Sequence, residues 1–247
     1  MRTYYSIISA FILVIFTSCE FSETMILNSD GSGEIKIQMD ASEMLTMISS
    51  FGEGDELKGM DERIDTTFYF VDFLKHNKDS IAKLPLDQQE KLKMLESYGV
   101  QVKMDAKTSE MVYDIFLNFK DISEANNMFK VFNQISNTGT NTVNSNEGLP
   151  DQESIMVHYS FSNKVFKRQA FIDDIELHRQ ELDSLKNLEM MMGGTVYKLK
   201  YTFPNKVKSI SKKEATLSPD KKTVFLEANY FDYFRNPDLL SIEVVLD

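Results

Sequence analysis

The sequence predicts an α+β fold: a mainly antiparallel sheet with helices packed on one face, and a hairpin-rich C-terminal part. Three observations predict it. Short segments that alternate apolar and polar residues recur along the chain. Short turn sequences such as Asn163-Lys164 and Pro219-Asp220-Lys221-Lys222 separate neighbouring alternating segments, as hairpins require. Helical periodicity interrupts them without the regular strand-helix-strand rhythm of a parallel sheet.

Thr24 to Asn28 reads as a strand, and Asp30-Gly31-Ser32-Gly33 as a turn in which glycine accepts positive φ without steric cost. Glu34 to Asp40 alternates, with Ile35, Ile37 and Met39 on one face. Asp40 and Glu43 form a capping-box pattern that opens a helix through Met44, Leu45, Met47 and Ile48. Residues 52–63 carry three glycines and several acids and read as a mobile loop. Thr66 to Leu74 fits a strand or a buried helix equally well. Asp87 to Ser97 is a helix, with Pro85 before it and Gly99 beyond its end.

Val100 to Met104 and Met111 to Phe119 form a hairpin around Lys107-Thr108-Ser109-Glu110. Asp121 and Glu124 open a helix whose apolar face uses Ile122, Ala125, Phe129, Phe132 and Ile135. Residues 136–150 are Ser, Thr, Asn and Gly with few apolar side chains and read as a second mobile loop. Ile155 to Ser162 and Val165 to Phe171 pair across Asn163-Lys164. Ile172 to Met192 is the longest helix, ended by Gly193-Gly194. Strands follow at 197–203, 207–211, 214–218, 223–229 and 241–246, with a short helix at 230–234.

Of 247 residues, 42% are hydrophobic and 26% charged, which is ordinary for a globular chain. The formal net charge of -11 disfavours nucleic acid as a partner. Charge is uneven: acids outnumber bases 31 to 17 from Glu20 to Met192, whereas nine bases meet seven acids from Gly193 on. A single cysteine, Cys19, leaves no internal disulfide and no multi-thiolate zinc site.

The first nineteen residues carry the clearest signal. Arg2 supplies a positive start, and Ile7 to Phe16 is an apolar run of ten, short of the roughly 20 residues a spanning helix needs. Phe16-Thr17-Ser18-Cys19 resembles the bacterial lipobox, with Phe16 where leucine is usual. That resemblance implies a signal peptide of residues 1–18, a diacylglyceryl group on the Cys19 thiol, and a fatty acyl chain such as palmitate on the new amino terminus. Two chains make a stable anchor where one does not. Residues 19–22 are then the anchor and a short tether, and 23–247 a single domain.

Leu27-Asn28-Ser29-Asp30-Gly31-Ser32-Gly33 resembles the opening of Bacteroidota-type lipoproteins. Tyr201-Thr202-Phe203-Pro204-Asn205-Lys206-Val207 and Leu217-Ser218-Pro219-Asp220-Lys221-Lys222-Thr223-Val224 are similar to their C-terminal hairpins. The combination resembles the LppM-type lipoprotein domain at both ends of the mature chain. It implies no catalytic residues.

Candidate chemistry is sparse. His178 faces the apolar stripe of the long helix, four residues after Asp174 and three before Glu181. A carboxylate-histidine pair or part of a metal site would fit; a histidine at the rim of the core is the plainer reading. His76 and His158 read as surface. Asp173, Asp174 and Glu176 suit the first turn of a helix. Met190-Met191-Met192 cannot converge on one soft metal ion from successive helix positions, and reads as adaptable packing or groove material. Lys198, Lys200, Lys206 and Lys208 could form a basic face toward a membrane or partner; guarding exposed strand edges is the competing role of such lysines.

The expected function is that of a lipid-anchored envelope protein, non-enzymatic, without metal or cofactor. It would bind an envelope protein or support envelope assembly, and sit in the membrane, expected to be the outer one, through the lipid on Cys19. A carrier of a lipid or other hydrophobic ligand is the alternative, and a hydrolase using buried acids the third.

Overall fold

The computed structural model describes residues 20–43, 45–46, 63–128, 131 and 154–247. In chain order the described strands are β1 (Glu20–Leu27), β2 (Gly33–Asp40), β3 (Ile64–Tyr69), β4 (Tyr98–Asp105), β5 (Glu110–Phe119), β6 (Ile155–Ser162) and β7 (Val165–Ile172). They continue with β8 (Val196–Thr202), β9 (Val207–Ile210), β10 (Thr216–Leu217), β11 (Thr223–Asn229) and β12 (Ile242–Leu246). The helices are α1 (Phe70–His76), α2 (Lys78–Ile81), α3 (Leu86–Met94), α4 (Ile175–Met192) and α5 (Tyr230–Arg235), with 3-10 helices at Ile122–Asn127 and Pro237–Leu240.

The fold is α+β and mostly antiparallel. The strands divide between an eight-stranded sheet, ordered β10-β11-β8-β1-β2-β5-β4-β3, and a four-stranded sheet, ordered β6-β7-β12-β9. One described pair is parallel, β1 beside β8, with Glu20 opposite Val196 and Ile26 opposite Thr202. Such a pair needs a long connection, and everything from β2 to α4 lies between the two strands in sequence.

Alternation explains which side chains meet. Phe21, Met25 and Leu27 of β1, Ile35 and Ile37 of β2, and Tyr197, Leu199 and Tyr201 of β8 turn inward. Val157 and Tyr159 of β6, Phe166 and Ala170 of β7, and Ile242, Val244 and Leu246 of β12 join the same core. Phe166 meets Tyr201 and Phe203 edge-on, each at 5.3 Å between ring centres. Helix α5 closes the core with four buried aromatics, Tyr230, Phe231, Tyr233 and Phe234.

Several expectations change in detail. Strand β1 begins at Glu20, so Glu20–Ser22, expected to be tether, belongs to the sheet. The ambiguous stretch 66–74 is both things at once: β3 runs to Tyr69 and the chain turns helical at Phe70. Helix α3 stops at Met94, ahead of the expected Ser97, because Tyr98 is already paired with Leu117. The 214–218 strand shrinks to Thr216–Leu217. Asp121 and Glu124 open a helical segment as expected, through a capping box, but the segment is a 3-10 helix. Phe129, Phe132, Ile135 and the loop at 136–150 lie outside the described residues, as does the loop at 52–63 except for Arg63.

Asn163 and Lys164 both take positive φ, the geometry of a two-residue hairpin turn. Gly33 is required for a different reason. A Cβ there would stand 2.1 Å from the Ile26 carbonyl oxygen and 2.7 Å from the Phe119 ring. Overpacking against backbone has little room to relax. Gly33→Ala is expected to lower unfolding free energy by about 3 kcal/mol. Urea denaturation checks this, and an unchanged midpoint would show that the β1–β2 turn yields freely.

Candidate functional site

Among the described residues, a larger and a smaller cluster of buried polar side chains lie in the interior, and the four candidate lysines sit apart from both. The larger cluster centres on Glu23. On β1 the inward series is Phe21, Glu23, Met25, so one carboxylate interrupts an apolar row. On β7 the inward series is Phe166, Arg168, Ala170, so one guanidinium does the same. Both side chains are fully buried and meet between the two sheets. Arg168 Nη2 donates to Glu23 Oε2 at 3.0 Å, and its Nε donates to the same carboxylate. Nη1 donates to the Leu240 carbonyl at 3.1 Å.

Three tyrosines complete the carboxylate's shell. Tyr159 donates to Glu23 Oε1 at 2.6 Å, Tyr197 to Oε2 at 3.0 Å, and Tyr201 to Oε1. The guanidinium carbon also lies 5.9 Å from the Tyr197 ring centre and 5.7 Å from that of Tyr233. Burial raises the pKa of Tyr159, Tyr197 and Tyr201 well above the usual phenol value, and the Glu23 charge adds to it. Burial pulls Arg168 down, but Glu23 and the tyrosines more than offset this, so the guanidinium stays charged. Charged and hydrogen-bonded on all sides, the group ties β1 and β8 of one sheet to β6 and β7 of the other.

The second cluster contains His178. On α4 it is 5% exposed and stacks on Phe234 at 5.1 Å between ring centres. Its Nδ1 lies 2.9 Å from Ser154 Oγ, which also bonds the Glu181 carboxylate. The serine hydroxyl donates to Glu181, so His178 Nδ1–H donates to the serine. Nε2 is then unprotonated, buried and without a hydrogen-bond partner. A second proton would have no acceptor, and burial lowers the His178 pKa from its usual value.

His178 is a buried histidine, the plainer of the two readings, and its link to a carboxylate runs through a serine. Asp174 is occupied elsewhere, capping α4 by accepting from Leu177 N at 2.9 Å. In a hydrolytic triad the carboxylate orients the histidine, whereas here it holds the hydroxyl. What the arrangement does chemically is fasten Ser154, just before β6, to one face of α4. Among the described residues no group of three or more histidines, cysteines or acids could hold a metal ion.

The basic residues fall into two places. Lys198 and Lys200 share the outer face of β8, where Lys198 pairs with Glu20 at 2.5 Å. Lys206 and Lys208 belong to the other sheet's side, around β9. With Lys221, Lys222, Val207 and Pro219 they line an open recess of about 530 Å³, which Asp220 and Asp247 also border. Lys222 donates to the Pro204 carbonyl at 2.8 Å. His76 and His158 are exposed. Cys19 lies outside the described residues, as do residues 1–18.

No protein-family model matches the chain, and no curated protein does. Its structure resembles the NMR structure of the folded domain of LppM from Mycobacterium tuberculosis, at 10% identity and a TM-score of 0.40, covering 95% of each chain.

Sequence reasoning missed Glu23 and Arg168. The signal was available: each is the charged residue in an otherwise apolar inward row, and the two have opposite signs.

Two outcomes follow. Removing one hydroxyl with Tyr201→Phe is expected to cost about 1.5–3 kcal/mol in chemical denaturation, the range for hydrogen bonds to a charged acceptor. A cost near zero would show the carboxylate re-solvated. The second concerns pH. With the folded pKa of His178 below its unfolded value of about 6.5, the unfolded state binds more protons, so stability falls as pH drops below about 6.5. His178→Asn, which keeps a donor near Ser154 and does not titrate there, is expected to flatten that part of the profile. An unaltered slope would assign the loss to other groups.

Proposed function

We propose that this chain is a lipid-anchored envelope protein that works by binding rather than by catalysis. The observation that carries the reading is the segment Phe16-Thr17-Ser18-Cys19 behind a ten-residue apolar run, with the chain's only cysteine at its end. In this reading residues 1–18 are removed, the Cys19 thiol carries a diacylglyceryl group, and the freed amino terminus carries a further fatty acyl chain. The outer membrane is the proposed address. No described helix is long and apolar enough to cross a membrane, so in this reading attachment falls to the lipid.

The binding half of the reading is supported by the edge of the large sheet. Strand β3 is its last strand and all six of its residues are exposed. Phe68 and Tyr69 there, and Val71 and Phe73 on α1, are exposed apolar side chains. Phe68 lies 5.0 Å from Phe70 and 5.9 Å from Phe73 between ring centres. Exposed aromatic surface on an edge strand is characteristic of sites that meet another molecule. An envelope protein is the proposed partner.

Metabolic acyl labelling and intact mass of wild type against Cys19→Ala test the anchor. Wild type is expected to carry label and to fractionate with membranes; the variant is expected to lose the label and appear in soluble fractions. A wild-type amino-terminal peptide without fatty acyl mass would overturn the reading.

A further inference from the structure

We propose that the C-terminal end of α4, at Met190, rests on the bilayer beside the lipid, so that the domain stands with its lysine-lined recess directed away from the membrane. The inference deepens the lipid-anchor reading and rests on it.

Glu20 is already the first residue of β1, paired on both sides, with Asp40 on one and Val196 on the other. Cys19 is one peptide bond away, a Cα separation of about 3.8 Å. A lipid on that residue therefore holds the start of β1 at the membrane surface, where a long linker would have let the domain swing free.

What lies beside the start of β1 is then fixed by the sheet. Val196 opens β8 directly opposite Glu20. Thr195 N donates to the Met192 carbonyl at 2.9 Å, and Asn229 Nδ2 donates to the Gly193 carbonyl at 2.7 Å. The end of α4 is thus bound to the strand end that neighbours the anchor. Met190 is 81% exposed, among the most exposed apolar side chains described, and Gly193 and Gly194 after it are exposed as well. A flexible thioether side chain next to an acyl-bearing residue is suited to the boundary between headgroups and acyl chains.

The charges around it lean acidic. Glu20 stands beside Asp40 and pairs with Lys198, while Arg235 is shared by Glu189 and Asp232. Such a surface does not call for anionic lipid, so the contact is with the apolar boundary of the bilayer.

The recess bordered by Lys206, Lys208, Lys221 and Lys222 is at the far end of the same strands. Phe203, just past β8, accepts no part in the anchor end: its amide donates to the Lys222 carbonyl at 2.9 Å. Seven residues of extended chain separate it from Val196, about 23 Å at 3.3 Å per residue.

The test uses the full-length lipidated protein in phosphatidylcholine vesicles containing bromine-labelled acyl chains. Because Cys19 is blocked by its lipid, Met190→Cys and, separately, Asp220→Cys accept a single environment-sensitive fluorophore. The account expects bromine quenching of at least twofold and a blue shift at position 190, with neither at 220. Flotation with the vesicles but no quenching at 190 would overturn the inference and leave the anchor reading standing. Equal quenching at both positions would also overturn it, since the domain would then lie flat. Failure to float would overturn the anchor reading, and this inference with it.

Discussion

The ion pair between Glu23 and Arg168 joins two sheets that no backbone hydrogen bond connects at that point. Two charges buried together are weak evidence for added stability, because the desolvation they suffer is large. What they supply here is position. A carboxylate that takes bonds from Arg168, Tyr159, Tyr197 and Tyr201 has its acceptor sites filled only in one arrangement of β1, β6, β7 and β8. Sliding either sheet by one residue would leave charge buried and unpaired, at a cost of several kcal/mol. An all-apolar interior would tolerate such slips more readily.

The Ser154–His178–Glu181 group performs the same service at smaller scale. It joins the residue before β6 to α4, while Phe234 of α5 stacks on the imidazole. Helix α4 is thereby held at both ends, by this group near its start and by Thr195 and Asn229 at its finish. The buried imidazole without a partner on Nε2 is the part of this device that responds to acid.

Strands, turns and the main helices were legible in the sequence because alternation, capping residues and turn residues act over a few positions. Asn163-Lys164 and the Asp121–Glu124 box are examples in which local chemistry sufficed. The partition into two sheets was not legible. Whether β9 continues the sheet of β8 or joins β12 depends on packing across the core, and Pro204-Asn205 reads the same either way. The four candidate lysines illustrate this: Lys198 and Lys200 lie on one sheet, while Lys206 and Lys208 lie toward the other. The buried clusters were half legible. His178 stood out through its helical spacing, but its serine partner lies 24 residues earlier, where spacing says nothing. Glu23 lies just before the strand expected from Thr24, so its place in an inward row was hidden, and Arg168 follows Lys167 in a strand where either charge could face solvent.

The clasp also bears on attachment. Strand β1 lies inside the large sheet, between β8 and β2, and Glu23 is three residues from its start. Any pull exerted through the residue before Glu20 is delivered to a strand paired on both sides and tied to the second sheet through Glu23. A double-mutant cycle on Glu23→Gln and Arg168→Met, followed by urea unfolding, tests whether the two groups act as a unit. The account predicts a coupling of about 2 kcal/mol or more, the double variant losing much less than the two single losses combined. Additivity within about 0.5 kcal/mol would contradict it.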